Sequence, residues 1–343
     1  MIRHLFMALT ILLIASPASA QQPKPLFDRE TLLDLTLIAP RDRLAPNADR
    51  PTSPFGAEIL TVAGDSLQVT MVPVDPGAMT SDCRTARWHL DVVGAPVSGT
   101  FAGQRQLTLV MPCSDDDRVD VADRAYTSFR LFEETTLDSV KARQVRIAFA
   151  EEADADPWRI ATGFFIEPLQ DVASRRRLQP VDPSRVQADD WNAEAAARYA
   201  LFHYMIGSPD AALAGGLDDS SCCDEVKPLE PLSTVRSGLV PVPESFESSA
   251  LSTSPDVRRA ATVGDRRNRV RRYRGFCAHN PAAREEARKM AAKEVRYFDA
   301  IDDVPSLSPD FAVAAKRFLG ASLADFEDEA RFEREVLLNC RPG

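Results

Sequence analysis

The sequence predicts an α+β protein of two lobes, a β-rich lobe followed by a helical lobe. As far as Glu167, short segments with alternating apolar residues dominate, and one stretch among them has helical spacing. From Leu169 onward, apolar residues recur mostly at helical intervals, with two short strands early in that half. This order places a ligand cleft between the lobes, around residues 207–250.

The β-rich N-lobe is assigned to residues 21–168, beginning with a flexible lead-in. Between two of its strands, the run Ala63-Gly64-Asp65-Ser66 is a hairpin signal. Strands are predicted at residues 33–38, 59–62, 67–72, 88–93, 106–111, 145–150 and 160–167. The single helix is expected over residues 115–134, where apolar residues have helical spacing: Val119, Ala122, Tyr126, Phe129 and Phe132.

The helical C-lobe is assigned to residues 169–343. An apolar stripe predicts a helix over residues 191–206, and His203 on it is interpreted as a packed or surface side chain. Short strands follow at residues 226–229 and 238–242. Later helices are expected at residues 265–275, 281–299, 308–319 and 323–338, with prolines near several of their starts.

Residues 1–20 have the pattern of a secretory signal peptide. Arg3 and His4 precede an apolar core from Leu5 to Ala15, and an Ala-Ser-Ala cleavage site ends at Ala20. The apolar core is too short to span a bilayer as a helix, although a retained N-terminal anchor is the alternative. We therefore expect a periplasmic or secreted protein that is cleaved after Ala20.

The charge balance restricts the class of partner. A net charge of −10 argues against nucleic acid, and after the N-terminus no segment approaches membrane-spanning length. Arginines nevertheless recur between residues 258 and 274, and Arg267, Arg271 and Arg274 share one face of the predicted helix. This face is a candidate surface for an anionic ligand or an envelope protein partner. The alternative is a solvated face that balances 51 acidic residues.

Six cysteines follow the signal sequence: Cys83, Cys113, Cys222, Cys223, Cys277 and Cys340. An even number in an exported chain favours disulfides, and no C-x-x-C spacing indicates zinc. Cys83 and Cys113 flank one strand-rich region and are expected to pair. The other four allow three pairings. The adjacent Cys222 and Cys223 are expected to reach Cys277 and Cys340 rather than bond each other.

The chain lacks the H-E-x-x-H, G-x-S-x-G and GxxxxGK[ST] motifs, but five segments carry a family resemblance. They read FAGQRQLTLVMPC, FHYMIGSPD, CCDEVKPL, VPVPESFESSAL and RRYRGFC. Together they resemble an exported bacterial family related to the spore-coat CotH kinase-like proteins, over about residues 100–277. The resemblance implies a bilobal, protein-kinase-like fold.

Most active-site residues that the resemblance implies are replaced here. Where the family has KLKLV, residues 106–110 read QLTLV, so both lysines that would bind nucleotide phosphates are missing. Asp210 corresponds to the presumed catalytic aspartate, and it equally suits the first turn of a helix. The family's metal-binding His-Asn and Asp-Phe-Asp read Asp-Glu and Ser-Phe-Glu here, which leaves Glu225 and Glu247 as candidate cation ligands.

These replacements predict an exported, kinase-like pseudoenzyme that needs no cofactor and acts as a binding or scaffold module in the periplasm. The alternative is an atypical ATP-dependent phosphotransferase or nucleotidyltransferase. It would use Asp210 with Glu225, Glu247 and Mg²⁺ or Mn²⁺. A third hypothesis is an envelope structural protein whose cleft is filled by side chains.

Overall fold

The computed structural model describes most of the chain after the predicted signal peptide. The described residues are 22–28, 31–44, 53–74, 85–113, 121–208, 213, 226–232, 238–253 and 271–342. The predicted cleavage site after Ala20 therefore lies outside them. No helix within these ranges is long and apolar enough to cross a membrane.

Seven strands of the first half form a closed barrel. They are β1 (Leu33–Ile38), β2 (Phe55–Thr61), β3 (Ser66–Pro73), β4 (Thr85–Val92), β5 (Gln106–Pro112), β6 (Ala142–Ala150) and β7 (Arg159–Ile166). Their order around the barrel is β1-β2-β3-β4-β5-β7-β6. Neighbours are antiparallel, except that β1 runs parallel to β6 and closes the barrel.

This closure overturns one prediction. A bilobal, protein-kinase-like fold with a β-sheet N-lobe was wrong, because the strands close into a mixed barrel that a helical region accompanies. The physical reason lies in β1, whose Leu35 and Leu37 are buried and whose backbone pairs with β2 on one side and β6 on the other. Pairing both sides of β1 removes the free edges that an open sheet would expose.

The barrel interior is filled by alternate side chains of its strands, including Leu37, Ile59, Met71, Leu90 and Ile147. The opposite face of each strand points outward, as period-2 alternation requires. On β7, a side chain would not fit at Gly163, since a Cβ there would lie 2.4 Å from the carbonyl oxygen of Val110. The described strands thus enclose a packed hydrophobic core.

The helices include α1 (Arg41–Leu44), α2 (Val121–Thr135), α3 (Leu169–Arg176), α4 (Ala193–Ile206), α5 (Ala250–Thr253), α6 (Asn280–Ala291), α7 (Glu294–Asp302) and α8 (Pro309–Glu327). Short helical turns occur at Pro25–Phe27, Pro183–Arg185, Ala188–Asp190, Cys277–His279, Glu329–Arg331, Phe332–Val336 and Leu337–Asn339. A second sheet has the order β10-β9-β8, with β8 (Leu178–Pro180), β9 (Val226–Pro231) and β10 (Val240–Pro243).

A second core holds the helical half together, separate from the barrel interior. Helix α2 precedes two barrel strands in sequence, yet its Phe129 and Phe132 belong to this second core. Phe164 and Ile166 of β7 also belong to it, because they point outward from the barrel. The outer face of the barrel therefore packs on helices through α2.

Several predicted helices differ from the observed ones. Residues 281–299 form two helices, α6 and α7, and residues 323–338 form the end of α8 followed by short turns. The helix predicted over 265–275 is absent from its described part, residues 271–275. There the backbone pairs with the C-terminal segment instead, and the amide of Arg341 donates to the carbonyl of Gly275 at 2.9 Å.

The same pairing explains the disulfide of this region. Cys277 bonds Cys340 across a sequence separation of 63, and the amide of Cys277 donates to the carbonyl of Arg341 at 2.8 Å. The expectation that Cys222 and Cys223 reach these two cysteines was therefore wrong. Cys113, at the end of the barrel strand β5, is also disulfide-bonded. Its partner lies outside the described residues, as do Cys83, Cys222 and Cys223.

Candidate functional site

A cleft of about 360 Å³ lies between the outer face of the barrel and the helical half. Its barrel wall comes from β4 and β5, and its opposite wall from β9 and the end of β10. Residues 166–169, which link the two halves, form part of its rim. Lys227, Pro243 and Glu244 of the predicted cleft segment line it.

The barrel wall of the cleft is polar. Alternation along β4 turns Trp88 and Leu90 into the barrel, so that Arg87, His89 and Asp91 face outward. On the paired strand β5, Gln106 lies opposite Asp91 and Thr108 opposite His89. Each pair is hydrogen-bonded. The Gln106 amide donates to Asp91 Oδ1 at 3.0 Å, and His89 Nδ1 lies 3.2 Å from Thr108 Oγ1.

Across the cleft, residues 244–247 form a short segment after β10, which we call the strap. Arg87 reaches the strap in a forked arrangement, with Nε 2.9 Å from Glu247 Oε1 and Nη2 3.3 Å from Oε2. Its Nη2 also donates to the backbone carbonyl of Glu244 at 2.5 Å. The side chains of Arg87 and Glu247 are only 19% and 13% exposed. This geometry is that of a two-pronged, largely desolvated ion pair.

The strap also neutralises a second cation of the cleft. Lys227 Nζ on β9 lies 2.9 Å from Glu244 Oε2, in a pair more open to solvent than that of Arg87. Among the described residues that line the cleft, the positively charged side chains are those of Lys227 and Arg87. Both are therefore paired with glutamates of one four-residue segment.

The strap is anchored from behind by Phe246. This fully buried ring lies 4.8 Å from Phe129, 5.4 Å from Phe202 and 5.8 Å from Phe132 between ring centroids. Its carbonyl accepts a hydrogen bond from the hydroxyl of Ser252 at 2.9 Å. The backbone of the strap is thus fixed by the aromatic core of the helical half, while Glu244 lines the cleft and Glu247 contacts the cleft residue Arg87.

A buried ion pair fixes the rim of the cleft. Arg175 on α3 contacts Glu167 through Nε at 3.0 Å and through Nη2 at 2.9 Å. Glu167 also accepts the backbone amide of Lys141 at 2.9 Å. The side chains of Arg175 and Glu167 are 9% and 2% exposed, so the link between barrel and helical half is held by a desolvated pair.

Of the candidate catalytic residue Asp210 and the candidate cation ligands Glu225 and Glu247, only Glu247 is described. Asp210 and Glu225 lie outside the described residues, so the predicted convergence of all three stays a prediction. The carboxylate of Glu247 bonds Arg87 and also accepts the amide of Phe246 at 3.0 Å. Within the described ranges, no group of three His, Cys, Asp or Glu side chains is placed to hold a metal ion.

The predicted arginine surface is not built as expected where it is described. Arg267 lies outside the described residues, and Arg274 is partly buried. Arg271 lies over the ring of Phe318 at 3.8 Å from its centroid and donates to the carbonyl of the same residue. Burial lowers the pKa of Arg271 to about 10. Arg271 therefore stabilises the helical core rather than sharing an exposed helical face with Arg274.

His203 is a packed histidine. It is fully buried on α4, with its ring 4.2 Å from Tyr199 and 5.5 Å from Phe246 between centroids. Neither ring nitrogen has a hydrogen-bond partner in the part of the chain that the structure describes. Burial lowers the pKa of His203 to about 3, so the imidazole is neutral at physiological pH.

Sequence reasoning missed Arg87, which carries the main contact across the cleft. A signal was present, because T-A-R-W-H-L-D-V alternates so that arginine, histidine and aspartate share one strand face. Its partner Glu247 lies 160 positions away, and no local pattern connects the two.

Comparison with known proteins does not assign the chain to a family. No protein-family model matches the chain, and no curated protein matches it. The resemblance to the CotH-related family therefore stays a prediction.

Proposed function

We propose that this chain is an exported binding protein without phosphoryl-transfer activity, whose ligand occupies the cleft between the barrel and the helical half. The observation that carries the proposal is the forked ion pair between Arg87 and Glu247, at 2.9 and 3.3 Å. In this pair the cleft arginine Arg87 is neutralised by Glu247. The carboxylate of Glu247, a candidate metal ligand, is in turn occupied by Arg87.

The electrostatics of the cleft support binding rather than phosphoryl transfer. That reaction depends on positioning and charge neutralisation, by cations on the phosphates and by carboxylates on a metal. Here the cations Arg87 and Lys227 are neutralised by the strap, and Gln106 and Thr108 stand where the resemblance would place lysines. A cleft of about 360 Å³ lies within the range of ordinary small-ligand pockets.

Export of the protein is part of the proposal. The N-terminal twenty residues match a signal peptide, and the Cys277–Cys340 disulfide suits an oxidising compartment.

The proposal is tested by calorimetric titration of the oxidised protein, from residue 21 onward, with ATP in the presence of Mg²⁺ or Mn²⁺. We expect no saturable heat and no transfer of labelled phosphate or AMP to the protein or to added acceptors. Tight metal-dependent binding, with transfer that Asp210→Ala abolishes, would replace the proposal with phosphotransferase or nucleotidyltransferase activity.

A further inference from the structure

Two cations line the cleft, and the same four-residue strap supplies a carboxylate to each. Arg87 comes from the barrel and Lys227 from β9, so different parts of the fold bring them to one cavity. From the strap, Glu247 Oε1 lies 2.9 Å from Arg87 Nε, and Glu244 Oε2 lies 2.9 Å from Lys227 Nζ. Each of the two cations that line the cavity is therefore already paired with a carboxylate of the chain itself, Lys227 with the lining residue Glu244 and Arg87 with Glu247, which lies outside the lining.

Arg87 contacts the strap through a second acceptor besides the Glu247 carboxylate. Its Nη2 donates to the backbone carbonyl of Glu244, and the strap backbone is anchored by the buried ring of Phe246. If the Glu247 side chain rotates away, the guanidinium stays oriented toward the cavity. A receptor that is already oriented loses little conformational entropy when a ligand arrives.

Exchange of one carboxylate for another costs far less than loss of the ion pair. Leaving a largely buried arginine without a partner is strongly unfavourable, because its charge has been removed from water. A ligand carboxylate on Arg87 restores the forked pair, while the released Glu247 gains hydration in exchange for its hydrogen bond from the amide of Phe246. The exposed pair of Lys227 and Glu244 opens more easily, since exposed ion pairs contribute little to stability.

We propose that Glu244 and Glu247 are built-in partners of the two cations of the cleft, and that its ligand is a small dicarboxylate which replaces them on Lys227 and Arg87. This inference rests on the proposed function, which assigns the cleft as the ligand site. The aliphatic side chains of Val72, Val140 and Leu169, which line the cleft, suit a short hydrocarbon linker between two carboxylates. The strap then acts as an internal competitor that sets the affinity.

The test compares binding of succinate and glutarate to the wild-type protein and to Glu247→Gln, by calorimetry and thermal melting. Propionate and chloride at equal ionic strength serve as monovalent probes. We expect weak saturable binding to the wild type and at least tenfold tighter dicarboxylate binding to Glu247→Gln, because the competing charge is gone. Arg87→Gln should abolish dicarboxylate binding in both backgrounds.

Asp34→Asn is the matched control. It removes a carboxylate from an exposed ion pair with Arg146 on the barrel, and neither residue lines the cleft. Its dicarboxylate affinity should equal that of the wild type. Glu244→Gln provides a second variant should Glu247→Gln fold poorly, and it should bind several-fold tighter through Lys227.

Dicarboxylate affinity that is unchanged in both glutamate variants, or that persists in Arg87→Gln, would overturn the inference. Failure here is distinguishable from failure of the proposed function. The proposed function is tested by ATP binding and transfer, which neither the dicarboxylate titration nor its variants measure.

Discussion

The barrel and the helical half differ in how deeply their ion pairs are buried. The barrel pairs its strands in a closed ring, fills its interior with aliphatic and aromatic side chains and carries ion pairs such as Arg146–Asp34 on its surface. The helical half and its junction bury charges. Glu286 is almost inaccessible between Arg198 and Lys289, and Glu167 is nearly as buried against Arg175.

Helix ends explain much of the difference. The last carbonyls of a helix have no partner within the helix, whereas closed strands satisfy their backbone groups mutually. At the end of α2, Lys293 Nζ donates to the carbonyls of Glu134 and Thr135 at 2.8 and 3.1 Å. Side-chain charges thus join helices to one another. The stability of the helical half should therefore depend on charge and pH more than that of the barrel.

The largest effect is expected from breaking the buried pair at the junction. Arg175→Ala leaves Glu167 buried without its partner and should lower the free energy of unfolding by about 3–5 kcal/mol. Arg146→Ala is the control, because that side chain is 56% exposed and its removal should cost below about 1 kcal/mol. Urea denaturation measures both. Equal losses of unfolding free energy in the two variants would contradict the expected difference between the two regions.

The next effect concerns the disulfide of the helical half. The double variant Cys277→Ser, Cys340→Ser frees a segment with a sequence separation of 63 and should lose about 2–5 kcal/mol of stability. Amide hydrogen exchange should then rise first around α6 and the C-terminal turns, while barrel strands keep their protection. Exchange that rises equally in both regions would mean that they unfold as one unit.

A smaller, pH-dependent effect is expected from His203. Its folded-state pKa lies near 3, whereas the unfolded chain takes up the proton near the ordinary value of 6.5. The neutral side chain therefore stabilises the fold fully above pH 6.5, and this contribution declines as pH falls toward 3. The expected slope is about 1.4 kcal/mol per pH unit.

Two variants isolate that slope in denaturation curves between pH 7 and 4.5. His203→Phe should lose the slope and keep stability at pH 7, since the ring already packs among aromatic side chains. His203→Gln should also lose the slope but be less stable at pH 7, because its amide would be buried without partners. A wild-type slope in both variants would assign the pH dependence to other groups.

Local patterns predicted several strands and one central helix, but not the division of the later helices. The strand predicted at 33–38 matches β1, and the helix predicted at 191–206 overlaps α4 closely, because alternation and helical spacing are short-range signals. Long-range pairing could not be predicted in this way. The parallel pairing of β1 with β6 depends on tertiary packing, and so does the pairing of Cys277 with Cys340.

The candidate site was predicted only in outline. Its place between the two halves followed from the order of elements, and Glu247 was among the residues named. The role of Glu247 depends on Arg87, which an outward position on β4 brings to the cleft. Arg271 was misjudged because a charged side chain in an arginine-rich stretch gives no sign that an aromatic ring will cover it.

Closure of the barrel by its first and sixth strands has a consequence during synthesis. A nascent chain emerges from its N-terminus, so β1 can pair with β2 at once but must wait for residues 142–150 before its other side is covered. At ordinary elongation rates of about 5–20 residues per second, that delay is on the order of 5–20 s. Throughout it the barrel cannot close, and the free side of β1 presents unpaired backbone groups with which other strands could pair.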